Sequence, residues 1–414
     1  MRREPELGGS GAPDTGAPGP PTTVPHASSA TGSLALSLAL LPGAGHLALG
    51  QRRRGLTLFA VAALLTAVLV FRWDAFREAW SRGGVDGWIA ARFLVVALAA
   101  CIAASVLDAR RSLASRHLPV SRMQAASAGR SPLRMAFRRF GANSLAMAAV
   151  YVIAGLYLLA ALAPILAPYD PAAIENVLET RYLAPSAEHL FGTDEFGRDL
   201  FSRAVYGARV SLSVGLLAVI MAVTIGTIYG SAAGFFGGWI DNVLMRLVDV
   251  IIAFPTFFLM LMLVGVFEAN LIVLVLILGL TSWTGTARFI RGEILSLKER
   301  EFIESARAIG LPSRLIIVRH LIPNAMAPVL VSAALMVGGM IGAEAGLSFL
   351  GIGIRPPTPS WGNMLSQGQD ALLVAWWVAL FPGLLLAITI LSFNLLADGL
   401  RDALDPKTLM RKYV

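Results

Sequence analysis

Glu301–Pro323 reads EFIESARAIGLPSRLIIVRHLIP. The stretch is polar and charged, yet apolar runs long enough to cross a bilayer flank it on both sides. A segment so charged cannot lie in hydrocarbon. Glu299, Glu301 and Glu304 precede the small residues Ser305, Ala306 and Ala308. Gly310 then reads as a left-handed helix stop, with Pro312 two residues on. A second short amphipathic helix is predicted from about Ser313 to Leu321, with Pro323 ending it. The pattern is helix, tight turn, helix, held outside the membrane between two spans, in a form suited to being gripped by another protein.

The flanking composition explains why such a knob stands out. The 414 residues are 56% hydrophobic and 14% charged, with a mean hydropathy of +0.69. A soluble domain carries about a quarter charged residues. Several runs reach the roughly 20 apolar residues a spanning helix needs, so the predicted class is an all-α polytopic membrane protein. The net charge of +8 sits in arginines clustered between spans. That is the signature of membrane orientation rather than of nucleic-acid binding. The single cysteine, Cys101, rules out an intrachain disulfide and any metal site built on a cysteine pair.

Residues 1–32 are rich in Gly, Pro, Ser and Thr and read as a disordered tail without a cleavable signal. Residues 33–108 form a membrane module. Its first run, Leu34–Leu49, is broken by Pro42, Gly43 and Gly45, while Leu56–Phe71 and Trp88–Val106 are credible spans, giving two or three in all. Residues 109–140 make a basic linker carrying Arg110, Arg111, Arg116, Arg122, Arg130, Arg134, Arg138 and Arg139. Residues 141–414 hold six further spans, near Ser144–Leu166, Ser211–Phe235, Val243–Phe267, Leu271–Phe289, Ala325–Gly346 and Ala371–Leu396. Arginine bias puts the linker, the loop 291–323 and the C-terminus in the cytoplasm. The segment Ala167–Arg209 is then external, and its short apolar stretches suggest helices lying on the outer surface.

Glu304-Ser305-Ala306, three residues, Gly310, nine residues, then His320-Leu321-Ile322-Pro323 resembles the EAA loop of ABC-importer permeases. The departures, Ser305, His320 and Ile322, keep size or helix compatibility. Further stretches occur in the same order as in that family: Phe191-Gly192-Thr193-Asp194, Gly197-Arg198-Asp199, Ser348-Phe349-Leu350-Gly351, Pro356 to Gly362, and Asp398-Gly399-Leu400-Arg401-Asp402. From about Arg134 to Lys407 the chain looks like the dipeptide, oligopeptide and nickel branch, and within it the second permease subunit. The resemblance implies a six-span type I importer core in the cytoplasmic membrane. It also implies a second permease subunit, two ABC ATPase subunits, an external substrate-binding protein and surrounding membrane lipid, with a short peptide or a nickel or other metal chelate as cargo. Glu301, Glu304, Ser305, Ala306, Arg307, Ala308, Gly310 and Pro312 would contact the ATPase. Leu41-Pro42-Gly43-Ala44-Gly45-His46 and Arg53-Arg54-Gly55 look like a small two-span module that implies no activity.

Three charged positions are candidate gate or interface residues. Arg246 and Asp249 lie three apart at the start of the third core span and are spaced to pair on one helix face. Glu344 lies near the outer end of the fifth span, either in a working role or capping the glycine-rich loop after it. Gly226, Gly230 and Gly234 repeat every fourth residue, as do Gly338, Gly342 and Gly346, spacing that lets helices approach closely. Pro255 is placed to kink the third span. No G-x-x-x-x-G-K-[ST] occurs, the five histidines lack metal-ligand spacing, and no Ser, His and acid set gathers in one motif. The reading is a transport subunit that is no enzyme and holds no cofactor, driven by partner ATPases. The alternatives are a stand-alone secondary transporter or a non-transporting membrane scaffold.

Overall fold

A computed structural model of the chain describes residues 52–81, 85–116, 132–174, 176–267 and 270–405. The tail, the run Leu34–Leu49, the middle of the basic linker and the last residues of the C-terminus lie outside them. The elements are α1 (Arg52–Phe71), α2 (Trp73–Ser81), α3 (Val85–Arg116), α4 (Pro132–Phe140), α5 (Ser144–Ala161), α6 (Ala163–Leu166), α7 (Val177–Thr180), α8 (Leu200–Phe236), α9 (Gly238–Ile252), α10 (Thr256–Val266), α11 (Leu271–Lys298), α12 (Glu301–Ala308), α13 (Ser313–Ile316), a π-turn over Ile317–Leu321, α14 (Ile322–Phe349), α15 (Trp361–Asp370) and α16 (Trp377–Leu404).

Six stretches are long and apolar enough to span: 86–107, α5, α8, α11, 313–349 and α16. Two bent pairs add to them, α1–α2 and α9–α10, each turning by 79° at a short break. The core thus has the six spans expected, with the third one broken. Pro255 stands at that break, directly before α10, where its missing N–H and fixed φ suit a helix start.

Two compact units divide the chain by contact: residues 1–63 with 100–118, and residues 64–99 with 119–414. In the first, the Cys101 thiol lies 3.7 Å from the Leu58 carbonyl. In the second, Leu65, Ala90, Ala91 and Leu94 pack with Leu162 and Ile165 in one apolar cluster. Arg72 donates to the carbonyls of Ile165 and Ala167, each at 2.9 Å, at the C-terminal end of α6. Those carbonyls have no intrahelical donor, so the guanidinium supplies one.

The centre of the second unit is the pair α8 and α11. Along it, an added Cβ at Gly226 would come 2.6 Å from Thr286 Cβ, and one at Gly234 would come 2.9 Å from Ile294 Cβ. At Gly230 it would run into the Ala287 carbonyl. This glycine row is therefore intrachain helix packing. The second row behaves differently. Gly338 and Gly342 leave at least 3.6 Å, and Gly346 faces open space.

Four expectations need correction. The helix before Pro323 does not stop there. The Ile322 N–H bonds to the Ile317 carbonyl across the π-turn, and Pro323 falls at the start of α14, where no donor is needed. Residues 313–349 are in consequence one continuous 37-residue stretch. The second span begins at Leu200, well before Ser211, because Asp199 caps it by accepting from the Ser202 N–H at 2.8 Å.

The segment expected to be external is mostly loop, with only the four-residue α7 between α6 and α8 among the described residues. Its organiser is Asp194, whose Oδ1 accepts from the N–H groups of Phe196 and Arg198 and whose Oδ2 accepts from Arg198 Nε. Finally, Arg246 and Asp249 do not pair. Asp249 takes Arg288 at 2.6 Å, Asp241 takes Arg291 in a bidentate pair, and Arg246 is exposed. Cross-helix arginines outcompete the neighbour on the same turn.

Candidate functional site: the loop between the fourth and fifth core spans

α12 begins with Glu301 and Glu304 in its first turn, where carboxylates complement the helix dipole. It ends at Ile309. The Gly310 N–H then bonds to the Arg307 carbonyl at 2.9 Å, and the Leu311 N–H to the Ala306 carbonyl at 3.1 Å. This pair of bonds is a Schellman closure. It requires the left-handed backbone that Gly310 adopts, with φ +77°. Pro312 then starts the return, capping α13 with φ −65°. The turn between helix and return is closed by backbone bonds.

The inner face of α12 is apolar at three-residue spacing. Ile303 and Ala306 are buried in one cluster with Ile290 and Ile294 of α11, Ile316 and Leu321 of the return, and Ala325 and Val329 of α14. The loop is thus packed on the ends of both spans it joins. Ala306 belongs to this inner contact, so its small side chain lets the chain's own helices approach closely. Arg307 reaches back, with its guanidinium 5.4 Å from the centre of the Phe235 ring at the end of α8.

The outer face presents Glu301, Glu304, Ser305, Ala308, Gly310 and Pro312, all exposed. It also carries apolar side chains that motif spacing passes over: Phe302, Ile309, Leu315 and Val318 are all exposed, Ile309 at 77%. The signal was present as hydrophobes off the buried stripe, but a family pattern weighted toward small residues does not mark them. Exposed apolar groups clustered among charged ones are the kind of patch that marks an interaction site.

Glu344 is far from this loop along α14. It is fully buried, and its two carboxylate oxygens accept from the hydroxyls of Ser211 (2.9 Å) and Ser348 (2.8 Å). Ser348 Oγ in turn accepts from the Ile354 N–H, and Ser211 Oγ from the Trp361 N–H. Glu344 therefore ties α8 and α14 to the turn after α14 and to the start of α15. Trp361 is fully buried, and its indole N–H donates to the Ala204 carbonyl. The Pro-Pro-Thr-Pro-Ser-Trp-Gly motif is thereby anchored on the first half of α8, through Ala204 and Ser211. Glu344, Arg246 and Asp249 are not brought together in one site.

Residues 213–410 match the family described as binding-protein-dependent transport system inner membrane component. Residues 131–185 match the N-terminal TM domain of oligopeptide transport permease C. A dipeptide transport system permease protein, DppC, of Alkalihalophilus pseudofirmus is 42% identical over 277 residues, covering 67% of this chain and 90% of the relative. The chain belongs to the binding-protein-dependent ABC-importer permeases. The oligopeptide permease OppC of Haemophilus influenzae is also 42% identical, over 67% of this chain and 90% of its own. The glutathione permease GsiD of Escherichia coli O6:K15:H31 is 40% identical over 67% and 91%. A methionine ABC transporter captured facing inward is 19% identical over 49% of this chain at a TM-score of 0.38, which adds nothing to the assignment. Residues 1–130 of this permease lie outside both matched family segments.

Proposed function

We propose that this permease is the second permease subunit of an importer of short peptides. It would pair with another permease, two ABC ATPases and an external binding protein, and loop 291–323 and the C-terminus would face the cytoplasm. The carrying observation is the α12 loop. It is closed by backbone hydrogen bonds, seated on the ends of α11 and α14, and turns a charged surface with exposed Phe302, Ile309, Leu315 and Val318 outward. A closing motion of an ATPase gripping that face passes into two spans without first deforming the loop. The continuous run of residues 313–349 extends the lever through the membrane. The relatives named for dipeptides, oligopeptides and glutathione favour a peptide over a metal chelate. ATP hydrolysis is assigned to the partner chains, since this sequence lacks the phosphate-cradling motif.

The test is to purify the tagged permease in mild detergent with its co-expressed partners and to reconstitute it in vesicles. The expected result is co-purification of an ATPase and peptide uptake that stops without ATP. Uptake that follows an ion gradient in the absence of any ATPase favours a secondary transporter, and no uptake at all favours a scaffold.

A further inference from the structure

One cavity of the core is not explained by packing. It has a volume of about 530 Å³ and lies among α8, α9, α10, α11 and α14, within the roughly 300–1,000 Å³ typical of small-molecule sites. None of its lining side chains is charged. Six carry hydroxyls, Thr256 on α10, Thr281, Ser282, Thr284 and Thr286 on α11 and Ser332 on α14, and the hydroxyls of Thr281, Ser282, Thr286 and Ser332 are hydrogen-bonded.

Their hydrogen bonds define what they can offer. The Thr281 and Ser332 hydroxyls donate to carbonyls of their own helices, at 2.8 and 3.2 Å, which leaves their oxygens as acceptors. Ser282 and Thr286 donate only to thioethers, to Met340 at 3.8 Å and Met336 at 3.6 Å. Sulfur is a weak acceptor, so these two donors exchange readily for a better one. The wall thus presents acceptors and releasable donors together. That is the complement of an amide, which carries one N–H and one C=O. The flexible Met336 and Met340 side chains accommodate varied neighbouring groups.

Two further observations are consistent with a water-filled path. The break between α9 and α10 opens onto it, with Ile252 and Thr256 in the lining. Non-helical backbone at membrane depth is tolerated only where protein or a water-filled cavity satisfies it. In addition Gly285, on the same wall, is exposed and has no atom within 4 Å of an added Cβ.

We infer that this cleft is the permease's share of the peptide path, and that it reads the amide backbone of a short peptide while ignoring side-chain charge. This rests on the peptide-importer reading above.

Two variants test it in the reconstituted complex, with trialanine as the probe. In a Cys101→Ala background, which removes the only native cysteine of the chain, Gly285→Cys should react with a hydrophilic methanethiosulfonate reagent. Trialanine under turnover should slow that reaction several-fold, measured against the Cys101→Ala parent. Gly285→Trp should cut trialanine uptake at least tenfold with the ATPase still co-purifying, whereas Gly155→Trp, an equally open glycine on α5, should not. A cysteine that stays unreactive means a lipid-filled groove and overturns the inference. So does reactivity indifferent to trialanine, or equal uptake in the two Trp variants. If the parent complex moves no trialanine at all, the importer reading itself has failed, which is a different outcome.

Discussion

Ser211 Oγ donates a 2.9 Å hydrogen bond to Glu344 Oε2 while accepting one from the Trp361 N–H. The acid is an acceptor for two buried hydroxyls and has no cationic partner among the described residues. It holds the turn after α14 and the start of α15 against α8 and α14. Glu344→Ala leaves two buried hydroxyls without an acceptor, each costing about 1–3 kcal/mol. Glu344→Gln keeps one acceptor and should lose clearly less. Thermal unfolding in detergent should rank wild type above Gln and Gln above Ala. An unchanged melting temperature in the Ala variant would show that the network carries no stability.

The two glycine rows give a contrast that spacing alone could not. Gly230 sits against the Ala287 carbonyl, whereas Gly346 faces open space. Gly230→Ala forces backbone apart along the α8–α11 seam and should cost about 1–3 kcal/mol. Gly346→Ala should change stability little or raise it. The check is the midpoint of unfolding of each variant in the same detergent.

That contrast shows what sequence could and could not carry. The spans were legible because apolar length is a property of each segment by itself. Gly310 was legible because only glycine suits a left-handed stop between a helix and Pro312. The start of α8 was not. Ser202 and Arg203 look like loop residues until Asp199 is seen to cap them and Arg203 to reach the Pro171 carbonyl at 3.0 Å. Nor were the partners of Asp241 and Asp249 legible, because their arginines come from α11, on the next span. Contacts made across the bundle leave no trace in local spacing. The outward face of α12 was half visible, since the motif marks the small residues and not Phe302 or Ile309.

Gly310 should be sensitive to backbone preference and indifferent to size. Nothing lies within 4 Å of an added Cβ there, and φ is +77°. Gly310→Asn should be nearly neutral, Gly310→Ala should cost about 1–2 kcal/mol, and Gly310→Val more. Membrane insertion should be intact in all three. Peptide-stimulated ATP hydrolysis in the reconstituted complex should fall in the order Asn, Ala, Val. A Val variant that couples normally would remove the rigid turn from the mechanism.

The two faces of α12 should separate in their effects. Ile303 is fully buried against Ile290, Ile294 and Val329, while Ile309 is 77% exposed. Ile303→Ala removes core volume and should destabilise the loop by about 2–5 kcal/mol, read as faster proteolysis within residues 300–320 of the permease alone. Ile309→Asp removes no internal contact of that kind and should leave proteolysis unchanged. It places a charge on the face proposed to meet the ATPase, so the yield of co-purified ATPase should fall at least tenfold. If Ile309→Asp retains the ATPase while Phe302→Asp loses it, the contact lies toward the start of α12. If both retain it, the outward face of this loop is not where the ATPase binds.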